Sequence, residues 1–326
     1  MEDKKVIMKV DHLCKDFVIH SKQLMEPNKL LHALSDVSFE IYEGETLGVI
    51  GESGCGKSTL GRCLVQLHKP TSGTIEYYGK DLSKLAGEEK REARKDVQMV
   101  FQDPYSSLDP RKTASYQIEE AMKVHNIGAT EKERHMRALE ALQEVGMDIQ
   151  HMERYPHEFS GGQRQRINVA RALAISPKLI VCDEPVSALD VSIQAQVINL
   201  FKKIQKERNL TYVFISHDLG IVKYISDRIV IMYLGRIVEM YTSHGLYENP
   251  MHPYTQALLS AIPPESPFDK KERVVLNGDI PSPIGEMKGC PLAGRCSKCM
   301  EKCREQTPQL KDVGDGHMVA CFLYES

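Results

Sequence analysis

The sequence predicts an α/β protein built on a parallel sheet, followed by a smaller, irregular C-terminal extension. An apolar strand, a glycine-rich turn and an amphipathic helix follow one another over residues 47–67. Strand and helix patterns alternate again over residues 179–216, as they do in parallel sheets. Beyond about residue 245 the chain becomes rich in proline and cysteine and loses this alternation. We therefore expect one large α/β domain, residues 1–245, and an extension, residues 246–326.

Composition and charge exclude several classes of protein. The chain has 326 residues, of which 41% are hydrophobic, and this is enough to bury a large core. Its 42 basic and 45 acidic residues give a net charge of -3, so no overall positive charge attracts nucleic acid. The apolar runs are shorter than the roughly twenty residues that a membrane helix needs. The N-terminus lacks the apolar core of a signal peptide, so we expect a cytosolic protein.

The individual elements follow from their residue patterns. Strands are predicted in the segments VIMKVDHLCKDF and VSFEIYEGE and at residues 47–50. From Ser58 the apolar residues recur at helical spacing. Residues 88–165 are rich in charge and helix formers and are predicted to form a helical insertion. Then follow a strand at residues 179–183, an amphipathic helix, the strand TYVFIS and the hairpin-like segment IVIMYLGRIVEM.

A phosphate-binding loop is indicated at residues 51–59, where GESGCGKST fits the pattern G-x-x-x-x-G-K-[ST]. In such a loop the backbone N–H groups approach a polyphosphate, Lys57 reaches its β and γ oxygens, and Ser58 binds Mg²⁺. A coincidental glycine turn is the alternative. It is disfavoured because only between a strand and a helix do loop amides and helix dipole converge on an anion. Cys55 is expected to contribute mainly its backbone and to expose its thiol.

Hydrolysis of a nucleotide needs a second contact to Mg²⁺ and a group that activates water. The segment LIVCDEP supplies Asp183 for the metal and Glu184 for the water. An acidic pair after a strand is more often a helix cap, but the phosphate loop upstream favours the catalytic interpretation. Gln102 and His217 each follow a strand-like run, so we expect both at the carboxyl end of the sheet, facing the ligand crevice. Alone, each is more often a surface polar residue.

A second glycine-rich turn opens another helix at residues 159–164, FSGGQR. The Ser160 hydroxyl, the Gly161 and Gly162 amides and the helix N-terminus can form a second anion cradle. With this turn, the segments GESGCGKST, VFQDP, LIVCDEP, SALD and ISHD resemble, in their order, the motifs of ATP-binding cassette (ABC) ATPases, the motor subunits of ABC transporters. The resemblance covers about residues 6–245.

This resemblance implies a P-loop NTPase fold of the ABC type, a mixed sheet with N-terminal antiparallel strands and a helical subdomain at about residues 88–165. It also implies the purpose of the second turn. In the family this turn caps the γ-phosphate bound to the phosphate loop of another subunit. Two ATP molecules then lie at a head-to-tail dimer interface.

The resemblance also implies a role for each motif residue. Glu184 is the general base, His217 the switch that bonds the γ-phosphate, and Gln102 the sensor of metal and γ-phosphate. Mg²⁺ is bound through Ser58, Gln102 and Asp183. ATP is bound by a set of residues from the adenine side and from both turns: Phe17, Gly51, Glu52, Ser53, Gly54, Cys55, Gly56, Lys57, Ser58, Thr59, Ser160, Gly161, Gly162 and Gln163. For Phe17 an ordinary strand phenylalanine is the alternative. The loop that couples the two sites is matched by Ala188, Leu189 and Asp190.

The segment ENPMHPYTQALLSAIP, followed by cysteines, resembles the C-terminal extension of dipeptide and oligopeptide importers, a class that includes nickel importers. FQDPYSSLDPRK resembles the second of their two unlike ATPases. These likenesses imply a second, non-identical ABC ATPase, two transmembrane permease subunits and an extracytoplasmic solute-binding protein as partners, at the cytoplasmic face of the membrane. The alternatives are an importer of nickel or another small solute, a soluble ABC ATPase outside transport, and a nucleotide-regulated redox sensor.

Five of the nine cysteines lie in the extension, and four of them form the array C-x5-C-x6-C-x17-C: Cys290, Cys296, Cys303 and Cys321. Four thiolates suit a [4Fe-4S] cluster or a tetrahedral zinc ion. Some members of the importer class are thought to hold a cluster at such positions. We expect the cluster, with zinc and unligated reduced thiols as alternatives. Cys299 forms C-x2-C with Cys296, so the ligand set is not unique.

Overall fold

The computed structural model describes residues 4–20, 28–262, 273–285 and 288–325. Within these residues the chain forms two sheets. The strands are β1 (Val6–Ile19), β2 (Lys29–Tyr42), β3 (Thr46–Ile50), β4 (Ser72–Tyr77), β5 (Lys80–Asp81), β6 (Val97–Val100), β7 (Leu179–Asp183), β8 (Thr211–Ile215), β9 (Arg228–Tyr233), β10 (Arg236–Thr242), β11 (Lys311–Asp312) and β12 (Met318–Val319).

The large sheet has the strand order β11-β12-β10-β9-β3-β8-β7-β6. Strands β9, β3, β8, β7 and β6 are parallel to one another, and β10, β12 and β11 extend the sheet from β9 in antiparallel pairs. Every residue of β3, β7 and β8 is buried, which explains their continuous apolar runs, since both faces of a parallel sheet are covered. The predicted α/β class is confirmed, and the sheet is mixed.

The small sheet is antiparallel, with the order β2-β1-β4-β5. The long strands β1 and β2 pair along most of their length, with register shifts that bend the ribbon. The apolar residues of this sheet share one core with β3, β7, β8 and the helix that follows the phosphate loop. The N-terminal antiparallel strands that the resemblance implied are therefore present, and they pack on one face of the large sheet.

The helices in the described residues are α1 (Lys57–Leu64), α2 (Gly87–Asp96), α3 (Ala114–Val124), α4 (Glu131–Glu144), α5 (Gly161–Leu173), α6 (Val191–Arg208), α7 (Leu219–Ile225), α8 (Ser243–Glu248), α9 (Pro253–Ser260) and α10 (Glu301–Glu305). Helices α3, α4 and α5 pack on one another, and α5 also packs on β6 and α6. Residues 88–165 were predicted to be helical; within them β6 belongs to the large sheet.

The C-terminal extension is tied to the large sheet through a buried carboxylate. Glu239 on β10 accepts hydrogen bonds from the backbone N–H groups of Met251 (2.8 Å) and His252 (2.9 Å). His317 Nε2, next to β12, lies 2.7 Å from Glu239 Oε1. Because Glu239 is fully buried, these partners stabilise its charge and fix the extension on β10. In the part of the chain that the structure describes, no helix has the length and apolar character needed to cross a membrane.

Candidate ATP site

The phosphate loop connects β3 to α1 and is closed by its own lysine. Lys57 Nζ donates to the carbonyl oxygens of Gly51 (2.7 Å) and Glu52 (3.0 Å), and the lysine is only 5% exposed. Gly54 and Gly56 have φ angles of 78° and 105°, where glycine is strongly favoured. A Cβ atom at Gly51 would lie 2.2 Å from the Met232 carbonyl oxygen. The loop therefore needs its glycines. The Lys57 ammonium is held where the oxygens of a polyphosphate can replace the two carbonyl oxygens as hydrogen-bond acceptors.

Cys55 is buried inside the phosphate loop, so the expectation that its thiol is exposed is wrong. The residue is 4% exposed, and its sulfur lies 3.9 Å from Lys57 Nζ. Burial raises the pKa of this thiol, while the nearby lysine opposes the shift. The thiol points under the loop because Gly51 leaves room for it; a Cβ there would lie 2.6 Å from the sulfur. Cys55 therefore contributes its backbone to the phosphate loop, and its side chain packs in the protein interior.

Ser58 and Asp183 meet below the loop. Ser58 Oγ donates to Asp183 Oδ1 at 2.8 Å, which joins the first turn of α1 to the last residue of β7. Burial raises the pKa of Asp183, and the Ser58 hydrogen bond and Arg62 oppose this shift. A hydroxyl and a carboxylate oxygen are ligands that Mg²⁺ prefers, and a bound cation would hold Asp183 in its ionised form. These two side chains fit the predicted magnesium site.

Glu184 is contacted from two neighbouring strands. Its Oε2 accepts a hydrogen bond from Gln102 Nε2 (3.0 Å) and lies 3.2 Å from His217 Nδ1. The three residues follow β6, β7 and β8, which are adjacent and parallel, so they meet at one edge of the sheet. The Glu184 side chain is 16% exposed and that of His217 is 61% exposed. Gln102 contacts Glu184 here, whereas the predicted Mg²⁺ contact would require it to turn to Asp183.

The second glycine-rich turn caps α5. Ser160 Oγ accepts from the Gln163 N–H (3.3 Å), and Gln163 Oε1 accepts from the Ser160 N–H (3.0 Å), a reciprocal capping box. A Cβ at Gly162 would lie 2.4 Å from Ile193 Cγ2, and one at Gly161 would lie 3.1 Å from Leu189 Cδ2. Among the described residues, no hydrogen bond or ion pair joins this turn to residues 51–59. Ser160 is exposed, Gly161 is partly buried and Gly162 is buried.

Phe17 lies on β1, half-buried. Its ring packs edge-on against His68, with 5.4 Å between ring centroids, and Lys15 Nζ lies 4.8 Å from the ring centroid. Adenine stacking by Phe17 stays a prediction.

Comparison with known proteins identifies the family. A family model described as "ABC transporter" matches residues 34–187, and one described as "Oligopeptide/dipeptide transporter, C-terminal region" matches residues 238–303. The oligopeptide transport ATP-binding protein AppF of Bacillus subtilis (strain 168) is 50% identical over 325 residues, which cover 99% of this chain and 98% of AppF. The chain belongs to the ABC transporter family. It is an ABC-type ATPase, for which ATP and Mg²⁺ are the expected ligands.

Other relatives agree with this assignment. The dipeptide transport ATP-binding protein DppF of Escherichia coli (strain K12) is 48% identical over 304 residues, which cover 93% of this chain and 90% of DppF. Among solved structures, the dimeric ATP-binding cassette MJ0796 bound to ADP and Pi has a TM-score of 0.64 at 29% identity and covers 72% of this chain and 98% of its own. CbiO1 from Clostridium perfringens has a TM-score of 0.64 at 26% identity and covers 76% and 92%. The ABC ATPase fold is thus confirmed.

The four predicted cluster ligands of this ABC ATPase line one small cavity. Cys290, Cys296, Cys303 and Cys321 surround a space of about 20 Å³, and Cys299 is not among its lining residues. This space holds about one water molecule, so the thiols would have to move apart to take a four-iron cluster. In the described ranges, no group of three or more His, Cys, Asp or Glu side chains has the geometry of a metal-ion site. The structure supports neither zinc nor a cluster, and the cluster stays a prediction from the donor set.

Two residues that contact the phosphate loop were missed in the sequence analysis, and both lie beyond β10. Arg295 pairs with the Glu52 carboxylate at 3.0 Å, and the Tyr254 hydroxyl accepts from the Glu52 backbone N–H at 2.9 Å. Tyr254 stands in the segment HPY, which was used only to assign the transporter class. Arg295 stands between cysteines and carries no motif of its own, so no local signal would have revealed it.

Proposed function

We propose that the chain is the ATP-hydrolysing motor subunit of an ABC importer for dipeptides or oligopeptides. The single observation that carries the motor function is the meeting of Gln102, Glu184 and His217 at one sheet edge, beside the Ser58 and Asp183 pair. The match of residues 238–303 to the oligopeptide and dipeptide transporter C-terminal region supports the substrate class. The names of the relatives AppF and DppF support it as well.

In this proposal each side chain has a separate task. Lys57 exchanges its two carbonyl partners for phosphate oxygens, and the loop amides bind the remaining oxygens. Ser58 and Asp183 hold Mg²⁺, which neutralises charge on the phosphates. Glu184 accepts the proton of the attacking water, and its two neighbours orient the carboxylate. His217 is exposed enough to turn from Glu184 toward a γ-phosphate.

Two ATPase chains are proposed to share each site. Ser160 is exposed at the N-terminus of α5, and among the described residues no hydrogen bond or ion pair joins its turn to the phosphate loop of the same chain. A helix N-terminus with free amides binds anions. We therefore propose that this turn binds the γ-phosphate in a second, non-identical ABC ATPase.

The permease subunits are proposed to dock in a groove of about 680 Å³ between α2, α3 and the end of β6. Its rim carries exposed Leu67 and Val124 together with the basic residues Lys90 and Arg94. Such a groove suits a protein segment with apolar and acidic side chains. Phe101 lines the groove and directly precedes Gln102, so a partner in the groove would contact the residue next to the one that hydrogen-bonds to Glu184. In this proposal the motor lies at the cytoplasmic face of the membrane, and an extracytoplasmic solute-binding protein serves the complex from the other side.

The test is reconstitution. The chain is expressed with the permease and ATPase subunits from its own genome, the complex is placed in lipid vesicles, and ATP hydrolysis is measured with the cognate solute-binding protein. Dipeptides and oligopeptides are expected to raise the hydrolysis rate several-fold. Nickel salts and free amino acids serve as controls. Stimulation by nickel alone would assign the other importer type, and purification without any membrane partner would contradict a role in transport.

We also propose, from the donor set alone, that the tail thiols bind a [4Fe-4S] cluster. Anaerobically purified protein is then expected to be brown, with iron and sulfide near four per chain. Cys303→Ser should lose the iron because Cys303 lines the cavity, whereas Cys299→Ser should keep it because Cys299 does not. Colourless protein with one zinc, or with freely titratable tail thiols, would contradict this proposal. ATP binding is expected to survive in both variants because, among the described residues, no hydrogen bond joins Cys299 or Cys303 to the phosphate loop.

A further inference from the structure

Glu52, the second residue of the phosphate loop, is a carboxylate where the proposed ligand is a polyanion. Its backbone carbonyl accepts from Lys57, so the residue is part of the same loop. An unpaired carboxylate here would repel a phosphate bound to the same loop, because the two charges would be close and little water would lie between them. The loop therefore needs a cation that neutralises Glu52, and Lys57 does not serve, because its ammonium is bonded to carbonyl oxygens.

That cation is Arg295, which lies 243 residues further along the chain. Its Nη1 donates to Glu52 Oε2 at 3.0 Å and its Nη2 to Glu52 Oε1 at 3.4 Å, a two-pronged pair. The arginine side chain is 11% exposed, and that of Glu52 is 26% exposed, so water screens this pair only in part. The pair is therefore stronger than an ordinary surface salt bridge.

Contacts from β9 and from the extension hold Arg295 in place. Its Nη1 lies 3.4 Å from the Tyr233 hydroxyl, and its guanidinium lies 5.9 Å from the centre of that ring. Its carbonyl oxygen accepts from the Asn277 N–H at 3.2 Å, and its N–H donates to the Leu292 carbonyl at 2.8 Å. The extension also reaches Glu52 through the Tyr254 hydroxyl. Glu52 is thus held from the extension by both its side chain and its backbone.

We propose that Arg295 is a positioning residue for ATP binding: it neutralises Glu52 and holds the start of the phosphate loop, so ATP affinity depends on the docked C-terminal extension. This inference rests on the proposed assignment of residues 51–59 as the phosphate loop. It gives the extension a part in the ATPase cycle besides any partner or metal that it binds. Cys296, which lines the thiol cavity, directly follows Arg295 in the sequence. A residue of the cavity is therefore bonded to the residue that pairs with the phosphate loop.

The test compares ATP affinity in five variants of the whole chain by equilibrium titration with a fluorescent ATP analogue. Arg295→Met is expected to raise the Kd about tenfold at low salt, because Glu52 then faces the phosphates unpaired. The difference from wild type should shrink as the salt concentration is raised to about 0.5 M, but only in part, because water reaches Glu52 only in part and salt screens such charges less. Lys298→Met removes a nearby exposed cation, whose side chain donates a hydrogen bond to Gln256, and should leave the Kd unchanged.

The double variant Glu52→Gln/Arg295→Met separates charge from packing. If Arg295 acts by neutralising Glu52, removing both charges should bring the Kd back to within about twofold of wild type. A structural role of Arg295 would instead lower the melting temperature without this recovery, and that result would overturn the proposal. Arg295→Lys keeps the charge and should retain most of the affinity, so a loss as large as in Arg295→Met would also overturn it.

Lys57→Ala distinguishes failure of this proposal from failure of the site assignment. Loss of ATP binding in Lys57→Ala, together with an unchanged Kd in Arg295→Met, would overturn the role of Arg295 and leave the phosphate loop assigned. Unchanged binding in Lys57→Ala would remove the phosphate loop assignment, and the role of Arg295 with it.

Discussion

Glu184→Gln is expected to lower the rate of ATP hydrolysis about a hundredfold to ten-thousandfold, while the Kd for ATP stays within about twofold of wild type. The amide keeps the size of the carboxylate but cannot accept a proton from water. Gln102 and His217 both contact Glu184 Oε2, so their side chains keep a hydrogen-bonding partner in the variant. Binding is expected to survive because Lys57 and the loop amides, which are proposed to bind phosphate, make no hydrogen bond to the Glu184 side chain within the described residues.

Single-turnover hydrolysis and equilibrium ATP binding measure the two quantities separately. Because the product is not formed, the variant should accumulate as an ATP-bound dimer, visible by size-exclusion chromatography. Glu207→Gln makes the same chemical change on an exposed part of α6 and should hydrolyse ATP at the wild-type rate. Lys57→Ala should show the opposite pattern, a loss of binding itself. Wild-type turnover in Glu184→Gln would exclude Glu184 as the base.

The candidate site could be predicted from the sequence in large part, because its residues lie either in short continuous segments or directly behind strands that end at one edge of the sheet. The phosphate loop is a run of nine residues between a strand and a helix, and its glycines are needed within that run. Gln102, Glu184 and His217 are far apart in sequence, but each directly follows a parallel strand or stands close behind one. Parallel strands end at the same edge, so an apolar run followed by a polar residue is enough to bring them together.

The features that were missed depend on contacts between distant segments. Arg295 meets Glu52 across 243 residues, and nothing near either residue indicates the other. Burial of Cys55 follows from the space beside Gly51, near the Met232 carbonyl on β9. Strand β6 has only four residues within a charged, helix-forming region, so helical propensity masks it. Its strand conformation comes from pairing with β7, a tertiary contact that overrides local preference.

Ser160→Arg is expected to abolish most hydrolysis in the partner subunit's site, while ATP binding to the phosphate loop of its own chain stays within about twofold of wild type. Ser160 is exposed, and within the described part of the chain its turn makes no hydrogen bond to residues 51–59. A guanidinium there keeps the two ATPase chains from closing on the nucleotide but leaves the Lys57 contacts intact. This expectation rests on the proposed pairing with a second ABC ATPase.

The substitution also removes a helix cap, so stability must be controlled. Ser160 accepts from the Gln163 N–H, and losing such a cap costs about 0.5–2 kcal/mol. Thr130 is the matched control, since it caps α4 in the same helical region, is exposed, and accepts from the Glu133 N–H. Thr130→Arg removes a cap and adds the same cation at a place that no nucleotide is proposed to reach. It should lose similar stability and retain hydrolysis.

Assembly with the partner ATPase then decides which site each residue serves. Photoactivated azido-ATP labels the chain whose phosphate loop holds the nucleotide, and hydrolysis of the trapped label is followed in each chain. Lys57→Ala should remove the label from this chain, whereas Ser160→Arg should leave that label in place and stop hydrolysis of the label on the partner. The two variants then impair opposite sites, as a turn that acts across the interface requires. If both changes disable the nucleotide on the same chain, the Ser160 turn serves its own site, and the shared-interface proposal is wrong.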